Sequence, residues 1–76
     1  MIKFDYSQMF DDELVYRFTT DSNQSGMIAF NQTTGAWRYM VKLSEIPDIY
    51  TPMFAAAANK VMNSKVILKK MSIVCF

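Results

Sequence analysis

Residues 13–43 read ELVYRFTTDSNQSGMIAFNQTTGAWRYMVKL. Leu14, Tyr16 and Phe18 alternate with Val15, Arg17 and Thr19, a period of two that marks Glu13 to Thr20 as a strand. Asp21 to Gly26 is turn chemistry throughout, and Met27 to Phe30 is a second, shorter strand. Gln32-Thr33-Thr34-Gly35 closes another hairpin, with Gly35 supplying the positive φ that the end of such a loop needs. Ala36 to Leu43 is the third strand, with Trp37, Tyr39, Val41 and Leu43 alternating against Arg38, Met40 and Lys42.

The register follows from loop length. A loop at Gln32–Gly35 closed by Asn31 and Ala36 sets Phe30 opposite Trp37 and Ile28 opposite Tyr39. A five-residue loop at Asp21–Ser25 sets Phe18 opposite Ile28 and Tyr16 opposite Phe30. Directly opposed residues share a face, so Leu14, Tyr16, Phe18, Ile28, Phe30, Trp37, Tyr39, Val41 and Leu43 gather on one side. A slip of one residue destroys that agreement.

The aromatic face needs a cover, and residues 51–63 provide it. Four consecutive alanines, Ala55 to Ala58, carry the highest helix propensity available. Thr51 is the expected N-cap, Pro52 sits at the first helical position, and Asn63 is the stop. Phe54, Ala57, Ala58 and Val61 fall on one stripe with Met53 and Met62 at its edges. The fold class expected is therefore α+β: an antiparallel β-meander of three to five strands with one α-helix packed on one face.

Outward from this unit, Ile2, Phe4 and Tyr6 alternate with Lys3 and Asp5 as a short N-terminal strand. Ser7 to Asp12 reads as a connection with Met9 and Phe10 tucked beneath it, and Ser44 to Tyr50 joins sheet to helix. Residues 65–75 are rich in β-branched side chains and read as one further long strand, broken or bent near Lys69-Lys70. The rival reading continues the helix to Lys70.

A chain of 76 residues that is 51% hydrophobic and 14% aromatic is a folded single domain, residues 1–76, rather than a disordered one. That apolar share either fills one core or is held partly against a partner or a second copy. The net charge of +1 gives no global pull toward nucleic acid or anionic membrane. It is unevenly placed, −2 over residues 1–38 and +3 over residues 39–76, a pattern compatible with head-to-tail self-association. One cysteine, Cys75, excludes an internal disulfide framework, and the expected setting is a reducing, cytoplasmic one. There is no signal-peptide pattern at the start, and the longest uncharged run, Ile49 to Asn59, falls far short of the ~20 residues that span a bilayer.

The inventory for chemistry is thin. The sequence has no histidine, the usual proton carrier near neutral pH, and its two glycines lie in no phosphate-cradling loop. No catalytic residues, cofactor or metal are expected, and an enzyme ranks last among the functional readings. Asp11-Asp12-Glu13 lacks the spaced ligands of a calcium loop and reads as a solvated edge. Cys75, beside an apolar strand end, reads as a buried, inert thiol.

The second sheet face is the informative one. Val15, Arg17, Thr19, Met27, Ala29, Arg38 and Met40 lie there, apolar and methionine side chains mixed with two arginines. A solvated sheet face is normally more polar, and methionine and arginine are both enriched in binding surfaces. Val15, Arg17, Met27, Arg38 and Met40 are thus the candidate partner-binding residues, unless a terminal segment folds over them. The reading is a small intracellular module that binds another protein by occupying its surface, as inhibitors, immunity factors and phage-borne antagonists do, with a homodimer as one form. The alternative is nucleic-acid association through Lys60, Lys65, Lys69 and Lys70, which predicts binding that weakens steeply with salt. The plainer role of those lysines is to guard a sticky edge strand.

Overall fold

The computed structural model describes residues 1–42 and 46–74. The chain is an α+β meander: β1 (Ile2–Phe10), β2 (Glu13–Thr20), β3 (Ser25–Asn31), β4 (Trp37–Lys42), a 3₁₀ turn at Asp48–Tyr50, α1 (Thr51–Asn63) and β5 (Lys70–Ile73). The strands form one antiparallel sheet in the order β4-β3-β2-β1-β5. Four strands follow one another as hairpins, α1 crosses one face, and β5 then pairs with β1 at the far edge. No helix among the described residues is long and apolar enough to cross a membrane.

Alternation builds the core. Phe4, Tyr16, Phe18, Ile28 and Phe30 point to the helix side and are buried. α1 returns Met53, Phe54, Ala57, Ala58 and Val61 to them. Phe54 is the keystone, its ring set edge-on 5.1 Å from Phe18, 5.6 Å from Tyr39 and 5.9 Å from Phe4. Such edge-to-face pairs use the positive ring edge against the negative face.

The β3–β4 register is the expected one, Phe30 opposite Trp37 and Ile28 opposite Tyr39. Asn31 Oδ1 accepts from the Thr33 and Thr34 amides at 2.9 and 3.0 Å, and Gly35 takes φ 76°. The β2–β3 register differs by two residues, with Tyr16 opposite Ile28 and Leu14 opposite Phe30. The loop is shorter than five residues because Thr20 and Gln24 close it. The Thr20 amide donates to the Gln24 carbonyl at 2.8 Å, and the Gln24 amide donates to Thr20 Oγ1 at 3.1 Å. Asn23 turns the chain at φ 63°, the left-handed residue of a three-residue hairpin loop. A slip of two keeps every side chain on its face.

Three further expectations are corrected. Residues 7–10 are strand, not a connection: Ser7 is an extra, bulged residue, β1 runs on to Phe10, and Asp11-Asp12 forms a two-residue turn with Asp11 at φ 56°. Met9 and Phe10 are consequently exposed rather than tucked away. Met40 is the extra residue of a second bulge, so Val41 stands opposite Met27 on the helix-free face, not on the aromatic face. Gly26 permits that bulge, because a Cβ there would run into the Val41 carbonyl oxygen. Finally, of the strand expected over 65–75, the described residues 65–74 form neither one long strand nor a helical extension. The helix ends at Asn63, and only Lys70–Ile73 pair with β1.

At the helix start, Thr51 is the first helical residue rather than the cap, because the 3₁₀ turn runs straight into α1 through Tyr50. The segment after the helix is held by Tyr16, whose hydroxyl donates to the Leu68 carbonyl at 2.6 Å, and by the Tyr6 amide, which donates to the Lys69 carbonyl at 2.9 Å. The expectations for Leu43, Ser44 and Cys75 lie outside the described residues.

Candidate protein interface

The registers lay the helix-free face out in rows. Phe10, Glu13 and Asn31 form the first; Gln8, Val15, Ala29 and Arg38 the second; Asp5, Arg17, Met27 and Val41 the third; Lys3, Thr19 and Ser25 the fourth. No described element covers these rows, since α1 lies on the other face.

All five candidate residues from the sequence lie on this face, in two different states. Arg38 is engaged. Its Nε and Nη2 donate to Glu13 Oε2 and Oε1 at 3.0 and 2.8 Å, a forked pair. Arg38 is on β4 and Glu13 on β2, so the side chain crosses β3, roughly 10 Å at two strand spacings. It crosses beside Ala29, whose methyl leaves room. Val15 and Ala29 are accordingly 1% and 0% exposed although no helix covers them. The hydrogen bond from Arg38 and its positive charge hold the Glu13 carboxyl below the ordinary range, and Glu13 pushes Arg38 up.

Arg17 is the opposite case. It is exposed and makes no ion pair or hydrogen bond among the described residues, its cross-strand neighbour Asp5 lying 3.8 Å from the Lys70 ammonium instead. Two shallow depressions flank it. One, of about 330 Å³, is lined by Arg17, Ser25, Gly26, Met27 and Val41. The other, of about 270 Å³, lies between Arg17, Asp5, Tyr6 and Ser7. Met27 is half-buried, while Met40 and Val41 stand open beside it at 41% and 44% exposure. Phe10, 55% exposed, adds an aromatic rim.

Phe10 and Val41 are the residues that sequence reasoning missed. Both were moved onto this face by bulges, and the only signal for either was Gly26 opposite the second bulge. Of the lysines, Lys60 lies on the outer side of α1 and Lys65 in the segment after it. Lys69 sits 4.7 Å over the Tyr6 ring, and Lys70 belongs to the helix-free face beside Asp5. Lys60 and Lys70 thus stand on opposite sides of the sheet–helix sandwich, and the four do not form one patch.

At the opposite end from the Asp11-Asp12 turn, Asp21 ties down the β2–β3 loop. Its carboxylate accepts from the terminal ammonium at 3.0 Å and from the Tyr50 hydroxyl at 2.8 Å, which, in that order, hold it below the ordinary range. No group of three histidine, cysteine or carboxylate side chains converges among the described residues. No protein-family model, curated protein or solved structure matches the chain.

Proposed function

We propose that the chain is a small protein-binding module, acting in the cytoplasm, that occupies a partner's surface with the helix-free face of its sheet. The observation that carries the reading is Arg17. Its guanidinium, uncommitted among the described residues, lies between two depressions, beside half-buried Met27 and open Met40 and Val41. Arginine with adjustable apolar neighbours is the composition of an interface centre rather than of a solvated sheet face. Arg38, committed to Glu13, contributes by keeping Val15 and Ala29 dry beneath it. An inhibitor-like role needs nothing more than such a surface, held rigid by the sheet.

The test compares two doubly substituted baits of equal melting temperature in a nuclease-treated lysate. Arg17→Glu with Met40→Glu alters the free face. Ala56→Glu with Lys60→Glu alters the exposed side of α1. The expected result is that partners captured by the wild type are lost with the first and kept with the second. Equal capture by all three overturns the reading.

A further inference from the structure

The helix-free face is polarised along its strands. At one end stand Asp11, Asp12 and Glu13, with Arg38 as the only cation among them. At the other stand Lys3, Arg17 and Lys70, with Asp5 the one acid in their rows and Asp21, in the turn beyond them, neutralised by the terminal ammonium. Between the ends runs an apolar waist, Met27 half-buried and Val41 open, with Val15 and Ala29 sealed beneath the Arg38–Glu13 pair. Glu13 and Arg17 are four residues apart on β2, roughly 13 Å along the strand, which exceeds the Debye length at physiological salt. The two ends therefore act as separate charges rather than neutralising one another.

We infer that the first occupant of this face is a second copy of the chain, packed sheet against sheet about a two-fold axis that lies in the interface at right angles to the strands. The inference rests on the reading of this face as the binding surface, and names what binds there. Two copies of one face can meet about an axis along the strands or across them. The first brings acid onto acid and base onto base. The second sets Asp12 and Glu13 of each copy over Lys3 and Arg17 of the other, closes the contact isologously, and lays the Met27–Val41 row over the partner copy's Phe10–Asn31 row. Arg17 then gains the carboxylates it lacks among the described residues, which removes the penalty of covering an unpaired charge. Five strands at the usual spacing and rise give about 500 Å² per copy, ~1,000 Å² in total, the lower limit for a specific interface. The pair is accordingly weak and concentration-dependent. That has a regulatory consequence: the dimer masks the very face offered to a partner, so self-association and partner binding compete.

The test is sedimentation equilibrium on the whole chain with two charge variants. In one, Lys3→Glu and Arg17→Glu reverse the basic end. In the other, Asp11→Asn and Asp12→Lys reverse the acidic end, with asparagine chosen because it tolerates the left-handed backbone at Asp11. Each variant alone repels itself, and its dimer dissociation constant should rise at least about tenfold over wild type. An equimolar mixture pairs a face acidic at both ends with one basic at both and should recover to within about threefold of wild type; the axis is read from wild type, because an axis along the strands sets like charge on like and would be tightened by salt. Wild type itself should dissociate more readily at about 1 M salt than at 0.05 M, a measurement that needs no variant. A wild type that stays monomeric at millimolar concentration, a dimer indifferent to salt, or a mixture no tighter than its components overturns the inference. The bait experiment separates the two readings: a monomer that still loses its partners on Arg17→Glu with Met40→Glu refutes the dimer alone. A salt-sensitive dimer whose captures ignore that variant refutes the partner-binding role alone.

Discussion

On the covered side of the sheet, Phe4 and Phe18 meet Phe54 ring edge to ring face and Phe30 meets Phe4 and Tyr16 in the same way, all five within 1% of complete burial. On the free side, the same strands present one row sealed by the Arg38–Glu13 pair and a second row, Arg17, Met27 and Val41, left open. The two faces share every backbone hydrogen bond and differ only in which alternate residues they receive and in where α1 crosses. Dispersion and burial hold the first. The second is held by the Arg38–Glu13 pair and the longer, exposed Lys70–Asp5 pair, and otherwise waits for something to cover it. Stability and recognition are thus allotted to opposite faces, and substitutions should separate them.

The sharpest way to break that division is Phe54→Ala. It leaves a cavity against three rings and should cost 3–5 kcal/mol, about the upper range for an aromatic truncation, read as the shift in urea unfolding. A loss under about 1 kcal/mol means that the covered face is not where the stability lies. Next is Gly26→Ala. The new Cβ meets the Val41 carbonyl oxygen and lies 3.0 Å from two Phe18 ring carbons, one obstacle in the backbone of the next strand and one in the core. Backbone cannot swing aside as a side-chain end does, so β3 and β4 must part at the bulge, at about 1–3 kcal/mol in the same measurement. No loss would show that the bulge at Met40 is not locked by Gly26.

The division itself was largely legible in the sequence, for a specific reason. Strand periodicity fixes the parity of side chains, and parity survives a register slip of two, as between Tyr16–Phe30 expected and Tyr16–Ile28 found. The helix was legible because alanine propensity and an apolar stripe agree over Thr51–Asn63. What periodicity does not encode is the odd residue. Ser7 and Met40 each reverse parity beyond themselves, which brought Phe10 and Val41 onto the free face unannounced. Nor does composition say that Arg38 reaches across β3 to Glu13 while Arg17 reaches nothing among the described residues. That depends on a diagonal contact between strands that are not adjacent.

A smaller effect links the covered face to the segment after the helix. Tyr16→Phe keeps the ring and removes the hydrogen bond to the Leu68 carbonyl, at about 1 kcal/mol. The pH dependence carries its signature. Burial first, and the neighbouring Tyr6 second, push the Tyr16 hydroxyl up to about 12 from the 10.0 of a free tyrosine. The folded state favours the neutral phenol, so this stabilisation is complete below pH 10 and is lost as pH rises from there through about 12. Unfolding free energies taken at intervals over that window should fall less steeply for Tyr16→Phe than for wild type. Identical slopes would mean that the Tyr16 hydroxyl is solvated.

The smallest expected effect on stability is on the free side, and it tests the seal rather than the fold. Arg38→Gln removes the fork that bridges β4 to β2 without touching the covered rings. Because the hydrogen bond from Arg38 is the main cause of the low Glu13 value, the Glu13 carboxyl should titrate back near its ordinary pH in this variant, followed by carbon-detected NMR. The direction is fixed by linkage. A depressed carboxylate stabilises the fold above its ordinary value and loses that contribution as pH falls through the folded one, so only the acid limb of the melting curve should move. Val15 and Ala29 would then stand open beside Arg17 and Met27, joining the sealed row to the unsealed one and widening the apolar waist. An unchanged Glu13 titration would show that the pair is not made in solution. Both rows would then already be open, and the contrast would lie between a packed face and a wholly unsealed one.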